Sequence, residues 1–389
     1  MAQDNFVIDD DDRYSRFRLI AWWDQQKLAE ARVLVVGAGA LGNEVLKNLA
    51  LLGVGTIYVV DFDHVEPSNL TRSVLFRSAD RGRPKAEVAA AAIRDMNPDI
   101  KIKSFHANII TDIGLGLFRD VDVVIGCLDN REARLWVNRC CWRVKTPWID
   151  AGIQEISGVV KVFVPPDSAC YECAMTENDY RLINLRYSCP LLRQEDLLAG
   201  KVPTAPTISS MMAGLQTQEA LKLIHGMPVD AGQAMIYNGI TNQFYKTAFQ
   251  FREDCLSHET YAEPVCLDLS VRIHTAEALF QAAAGHFAGD TNLRLRLIRD
   301  LVVAVECTVC GSRRRIMRAR ESVSMDAAKC PCGELAKPHL ENAIEAGSEL
   351  SAERLGDLGV PPYAIVRIEA TETEQVFLLT GDKSEVMDA

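Results

Sequence analysis

The stretch RVLVVGAGALGNEVLKNLALLGVGTIYVVD, Arg32 to Asp61, leaves this chain few ways to fold. Val33–Val36 is an unbroken apolar run, as expected of a parallel strand covered on both faces. Gly37, Gly39 and Gly42 follow as G-x-G-x-x-G, with Ala40 inside the turn. Leu41, Val45, Leu46, Leu49 and Leu52 then recur at helical spacing, and Thr56–Val60 reads as a second strand that ends at Asp61. Such a strand–turn–helix–strand unit offers backbone N–H groups at a helix N-terminus to nucleotide phosphates, without specifying the nucleotide.

The pattern continues downstream. Arg13–Glu30, rich in aromatic and aliphatic residues, reads as one or two helices, preceded by an acid run, Asp9–Asp12, expected to be solvated. Phe62–Pro84 is polar and turn-rich, and a loop of that length inside a domain is more often functional than idle. Pro84 opens a helix over Lys85–Met96. Ile100–Phe105, Val121–Gly126 and Trp148–Ile149 read as strands, with a helix over Arg131–Val144. This alternation predicts an α/β fold with a doubly wound, Rossmann-like, mostly parallel sheet. Val159–Val164, Ala234–Tyr237 and Phe244–Phe251 extend it antiparallel, and Thr207–His225 is a long helix. The expected organisation is an N-terminal arm over 1–30, a nucleotide-binding domain over 31–260 with a crossover loop at about 174–206, and a smaller C-terminal region over 265–389.

Composition excludes some functions. The net charge of −11 provides no basic surplus for nucleic acid, although Arg313–Arg315 is a local basic patch. No leader and no membrane-length apolar run is evident, which places the expected location in the cytoplasm, away from membranes. Twelve cysteines in that compartment point to metal or thiol chemistry rather than disulfides.

Alone, the glycine turn would suit a dehydrogenase. Its neighbours favour a triphosphate. Asp61 and Asp63 are followed by Asn69, Arg72 and Lys85, and two cations can neutralise phosphate oxygens while a carboxylate holds magnesium. Asp129 stands just past the strand Val121–Gly126, at the edge where ligands of such folds bind, and is the candidate metal ligand.

Here the residues carry a family resemblance. RYSRF at 13–17, GAGALG at 37–42, DFDHVEPSNLTR at 61–72, GRPKAE at 82–87 and CLDN at 127–130 resemble the ThiF/MoeB superfamily. YECA at 171–174, SSMMAGLQTQEALKLI at 209–224 and YNGITNQF at 237–244 follow in order, so the resemblance runs from about Arg13 to Cys255. These adenylating enzymes activate ubiquitin-like proteins and sulfur carriers. The resemblance implies that Asp61 binds the ATP ribose, that Asn69, Arg72 and Lys85 contact phosphates, and that Asp129 holds Mg2+. Gly37, Gly39, Ala40, Gly42, Asp63 and Asn130 complete the nucleotide-binding set. Arg16 is similar to a residue that reaches the ATP of the opposite subunit, which implies a homodimer.

The cysteines divide into groups. Cys170 and Cys173 have knuckle spacing, and relatives complete a zinc site with a second CxxC where this chain has Cys255-Leu-Ser-His258. A Cys3His site is expected; the other reading is a set of buried thiols. CTVCG at 307–311 and CPCG at 330–333 place Cys307, Cys310, Cys330 and Cys332 in a zinc-ribbon pattern, with a structural role for the metal. Cys189, in RYSCP, falls where the resemblance places a thioester-forming cysteine, and Arg186 or Arg193 could favour its thiolate; the other reading is an inert thiol. Cys127, Cys140 and Cys141 read as packing residues.

The function expected is ATP-dependent adenylation of a ubiquitin-like protein's C-terminus, then thioester formation at Cys189 and transfer to a conjugating enzyme. A sulfur-carrier adenylyltransferase for thiazole or molybdopterin synthesis is the alternative, and a non-catalytic subunit that only binds a ubiquitin-like protein is another. The C-terminal region favours the first, because sulfur-carrier enzymes usually lack such an appendage. It ends in a hairpin of Tyr363–Glu369 and Gln375–Leu379, and 355–382 resembles the small ubiquitin-fold domains that recruit conjugating enzymes.

Overall fold

The computed structural model describes residues 12–188 and 203–389. Cys189 and Arg193 lie outside the described residues, as do Asp9–Asp11. The chain divides into two compact units: one takes it up to Ala107 and from Asp120 to Thr260, the other takes Asn108–Arg119 and Tyr261–Asp388.

The first unit is built on strands β1 (Arg32–Val36), β2 (Thr56–Val60), β3 (Lys101–Phe105), β4 (Val123–Gly126), β5 (Trp148–Gln154), β6 (Ser157–Phe163), β7 (Gln233–Asn238) and β8 (Gln243–Ala248). They form one sheet in the order β3-β2-β1-β4-β5-β6-β7-β8. The pairs among β1–β5 are parallel, and β5–β6, β6–β7 and β7–β8 are antiparallel. This is the doubly wound sheet with an antiparallel extension that the sequence predicts.

Alternation along the strands sorts the core. Val33, Val35, Ile57, Val59, Ile125 and Ile149 point to the face packed by α2 (Ala40–Leu52), α3 (Lys85–Met96) and the long helix Pro206–His225. The helix Arg131–Val144 contributes nothing to that cluster; its buried Val137, Cys141 and Trp142 belong to the other face. The caps explain where these helices stop and start. Asn130 Oδ1 accepts the Ala133 N–H at 2.8 Å, and Pro206 opens the long helix, where its missing N–H is no loss.

The one or two helices expected over Arg13–Glu30 are a 3-10 helix, Ser15–Leu19, and a six-residue helix, α1 (Gln25–Glu30), begun by Asp24, whose side chain accepts from the Gln26 and Lys27 N–H groups. Another sequence expectation is revised. The polar stretch after Cys173 contains a helix, Glu177–Ser188, whose apolar periodicity is too weak to read from sequence.

The second unit holds β9 (Val265–Leu267), β10 (Arg294–Glu306), β11 (Arg313–Ala319), β12 (Lys337–Glu345), β13 (Ile365–Glu369) and β14 (Glu374–Leu379). The order is β11-β10-β13-β14-β9 with β12 also on β10, and only β14–β9 is parallel. Leu279 and Phe280 of the helix Ala276–Ala283 pack with Leu295, Ile344, Phe377 and Leu379 in its core. The expected hairpin is β13–β14.

Read from sequence, the nucleotide-binding domain runs continuously from 31 to 260, but the connection between β3 and β4 leaves it. Residues 108–119 pack inside the second unit: Gly116 N–H donates to Tyr363 O at 2.9 Å, and Arg299 donates to the carbonyls of Ile110 and Thr111. A Cβ at Gly116 would lie 2.5 Å from Tyr363 O, so glycine is required by the close approach. Tyr363, fully buried, has little room to retreat. Gly116→Val is expected to destabilise the second unit by about 1–3 kcal/mol through overpacking, read as a lower unfolding midpoint in a thermal melt. An unchanged melt would mean that this contact is absent.

Candidate functional site

The carboxyl edge of β1, β2 and β4 collects the residues singled out for the nucleotide. Gly37 leaves β1 with its N–H on Val60 O at 2.8 Å and φ +99°. A Cβ there would sit 2.5 Å from Cys127 O, and one at Gly42 would sit 1.9 Å from Gly37 O. The two glycines therefore let the turn fold against β4 and against itself. Gly39 is different: a Cβ would meet nothing within 4 Å, so this side of the turn is open. Ala40 then begins α2, and the helix presents unpaired N–H groups to that opening.

Asp61 ties the turn to β2. Its Oδ2 accepts the Ala38 N–H and its Oδ1 the Asp63 N–H, both at 2.7 Å. Burial raises its pKa, opposed by the charge of Lys85 and by those two N–H groups. Each oxygen retains acceptor capacity, so the carboxylate can still receive hydroxyl groups.

Residues 64–84 form a closed loop rather than a loose excursion. Its neck is laced by Val65 N–H to Arg83 O, Gly82 N–H to Val65 O and Lys85 N–H to Asp63 O, each at 2.9 Å, and by the bridge His64–Pro84. Val65, Leu75 and Phe76 anchor it in the core. The closed neck brings Lys85 back to Asp63, with Nζ 2.7 Å from Oδ2 and the lysine side chain only 11% exposed. The loop also carries Asn69, whose Oδ1 accepts the Glu66 N–H at 2.9 Å, and Arg72, whose Nη1 donates to Ser68 O at 2.9 Å.

Asp129 is exposed beyond β4 and accepts from Asn130 Nδ2 at 3.2 Å. Asn130 also caps the following helix, so its side chain is committed to structure. Arg16 lies exposed in the 3-10 turn of the arm. The structure thus gathers the turn, Asp61, Asp63, Lys85 and Asp129 at one sheet edge, with Asn69 and Arg72 on the loop that closes beside it.

Sequence reasoning missed the buried partners. Asp150, with no exposure, takes Arg134 Nε on Oδ1 at 2.9 Å and Lys161 Nζ on Oδ2 at 3.2 Å. Arg134 also donates to Leu128 O and Ala151 O, so it holds the loop that presents Asp129. The available signal was its place one helical turn after Asn130.

Cys170, Cys173, Cys255 and His258 bring one ligand atom each to within 4.8 Å of the others, as do Cys307, Cys310, Cys330 and Cys332. Sγ–Sγ distances of 3.5 Å (Cys170–Cys255 and Cys307–Cys332) and 3.4 Å (Cys310–Cys330) are too long for disulfides and near the roughly 3.8 Å edge of a tetrahedron with 2.3 Å metal–sulfur bonds. His258 Nε2 stands 3.3 Å from Cys173 Sγ, its ring stacked between Trp142 and Phe251. Burial lowers its pKa, favouring the neutral imidazole that binds metals. In the second cluster, the N–H groups of Cys310 and Val309 lower Cys307 to about 6. Both donor sets fit a tetrahedral divalent ion.

Glu172 braces the first cluster. It is 1% exposed, receives a bidentate Arg139 and the Tyr180 hydroxyl at 2.7 Å, and is bonded by Ser257 Oγ. Its carboxylate joins the 170–173 knuckle, the 255–258 turn and the helices on which Arg139 and Tyr180 stand.

Comparison with known proteins places the chain in a family. The model of the ThiF family matches residues 12–257. The sulfur carrier protein ThiS adenylyltransferase of Escherichia coli is 33% identical over 65% of this chain and 94% of its own length. The molybdopterin-synthase adenylyltransferase of Salmonella typhimurium is 31% identical over 62% and 94%. Human ubiquitin-like modifier-activating enzyme 7 is 40% identical over 42% of this chain, which spans 18% of that longer protein. Among solved structures, Escherichia coli MccB in complex with N-formylated MccA has a TM-score of 0.53 and 25% identity, over 64% of this chain and 75% of that one.

The chain belongs to the ThiF family. It is an ATP-binding adenylyltransferase of the class that includes the ThiS-type and ubiquitin-like modifier-activating enzymes. No helix among the described residues is long and apolar enough to cross a membrane.

Proposed function

We propose that this enzyme uses ATP and Mg2+ to adenylate the C-terminal carboxylate of a ubiquitin-like protein, passes the acyl group to Cys189 as a thioester, and hands it to a conjugating enzyme. The observation that carries the first step is the sheet edge where Asp61, the Asp63–Lys85 pair and Asp129 meet the open glycine turn. Attack of one anion on another needs charge neutralisation and alignment more than acid–base help.

The chain's residues supply both. Asp61 receives the ribose hydroxyls, and the turn with the start of α2 cradles the phosphates. Lys85 leaves Asp63 for a phosphate oxygen and is joined by Asn69 and Arg72. Asp129 holds Mg2+, which spreads the phosphate charge. The carboxylate oxygen bonds to the α-phosphorus as pyrophosphate leaves. The Cys189 thiolate then attacks the acyl carbon, AMP departs, and the thiol proton goes to solvent. Arg16 reaches the nucleotide site of a second copy in a homodimer.

The second unit supports the longer sequence of steps. The ThiF family model stops at residue 257, short of the stretch 261–388 that makes up most of this unit, and we read that stretch as an addition to the adenylating machinery. Its 355–382 segment contains the hairpin β13–β14, and we assign it to recruiting the conjugating enzyme. A sulfur-carrier adenylyltransferase is the second reading, favoured by relatives of that name matched over nearly their whole length. A subunit that only binds has no use for the paired Lys85 and the exposed Asp129. We assign zinc to both metal clusters in a structural role and place the enzyme in the reducing cytoplasm.

Asp129→Ala is expected to lower carrier-driven ATP–pyrophosphate exchange by about 100-fold or more, and exchange at the wild-type rate would remove Asp129 from metal binding. Cys189→Ala should still support exchange but form no reducible carrier adduct on a non-reducing gel; an adduct that persists would move the acceptor elsewhere, and a wild type that forms none would favour the sulfur-carrier reading. Elemental analysis should find two zinc ions per chain and one in Cys255→Ala. A single ion retained by both proteins would confine zinc to the ribbon.

A further inference from the structure

Asn43 stands in the first turn of α2 and is fully buried. Its Nδ2 donates to Ala38 O at 2.7 Å and Gly39 O at 3.0 Å, and its Oδ1 accepts the Leu75 N–H at 2.8 Å. All three bonds run to main chain, and they reach two different segments. Ala38 and Gly39 belong to the glycine turn. Leu75 belongs to the 64–84 loop, three residues beyond Arg72. Asp61 already holds the Ala38 N–H, so this one residue is gripped at both of its main-chain polar groups, by Asp61 at the N–H and by Asn43 at the carbonyl.

We propose that Asn43 is a positioning residue for the nucleotide, joining the phosphate cradle to the loop that carries Asn69 and Arg72. Donation to two successive carbonyls holds the turn with those oxygens directed inward, away from the incoming phosphates. Acceptance from Leu75 sets the loop at a fixed distance from the turn, so cradle and cations address the same phosphate chain before ATP arrives. Preorganisation of this kind removes an ordering cost from binding. A buried amide serving only the core would have no such selectivity for these two segments. The inference rests on the reading above only in taking ATP as the ligand.

Binding of Mg-ATP, measured by calorimetry without any carrier, tests it in a mutant cycle. Asn43→Ala and Arg72→Ala should each weaken ATP by roughly 10-fold or more, and the double variant by clearly less than the product, because the two residues act through one loop. Strict additivity, or wild-type affinity in Asn43→Ala, would overturn the proposal. Asn43→Thr guards against misfolding: its hydroxyl can bond back to Gly39 O within the helix but cannot also reach Leu75. It should show the same non-additivity with Arg72→Ala. In both Asn43 variants the Leu75 amide should exchange with solvent about 10-fold faster or more, while the core amide of Ile149 does not change. Unchanged protection at Leu75 would overturn the bridge. A wild type that binds ATP but shows no carrier-driven exchange removes the adenylation reading and leaves this one standing; a wild type that binds no ATP removes both.

Discussion

The hydrogen bond from the Ala38 N–H to Asp61 is the join on which the nucleotide edge depends. It links the end of β2 to the turn after β1, and the same carboxylate takes the Asp63 N–H and so fixes the start of the 64–84 loop. Burial of that carboxylate is unfavourable, and its raised pKa records the conflict. Lys85 eases it electrostatically because the loop's laced neck returns the lysine to Asp63. Turn, acid and cation are therefore mutually dependent: displacing one exposes an unpaired charge or an unmade backbone bond in the others.

The two metal clusters differ in what they unite. The ribbon draws on two turns about twenty residues apart and shares a small core of Val302, Val305 and Ala336, where there is little apolar surface to stabilise a fold unaided. The first cluster spans from Cys170 to His258 and so ties the end of the antiparallel extension back to the knuckle after β6. Glu172 duplicates that tie with Arg139, Tyr180 and Ser257. Breaking a buried charged pair on one side costs about 3–5 kcal/mol, so these bonds constrain the region whatever the metal contributes.

The excursion of residues 108–119 into the second unit has a topological consequence. The chain passes from β3 into that unit and back to β4 before it returns again at 261. The second unit therefore contains a piece of sequence that lies inside the nucleotide-binding domain, and neither can be cut out as one continuous segment. The contacts that hold the piece, the Gly116 N–H on Tyr363 O and the Arg299 side chain on two carbonyls, all end on main-chain oxygens, which no sequence pattern announces.

The sequence by itself determined the doubly wound sheet, because apolar strands and the glycine turn are local patterns with few foldable outcomes. It also named Asp61, Asp63 and Asp129, which follow strand ends, and Lys85, which follows the helix-opening Pro84. Cysteine spacing named the four ribbon cysteines and the Cys170–Cys173 knuckle, while Cys255 and His258 were named through the family resemblance; the fold brings each group of four together. Tertiary structure decided the rest. That the 64–84 loop is closed, that Asn43 bridges it to the turn, that Arg134 and Asp150 support Asp129, and that 108–119 belongs elsewhere all depend on pairings between distant residues. Such pairings are fixed by burial and by the need to satisfy each buried polar group, and neither acts until the chain has folded.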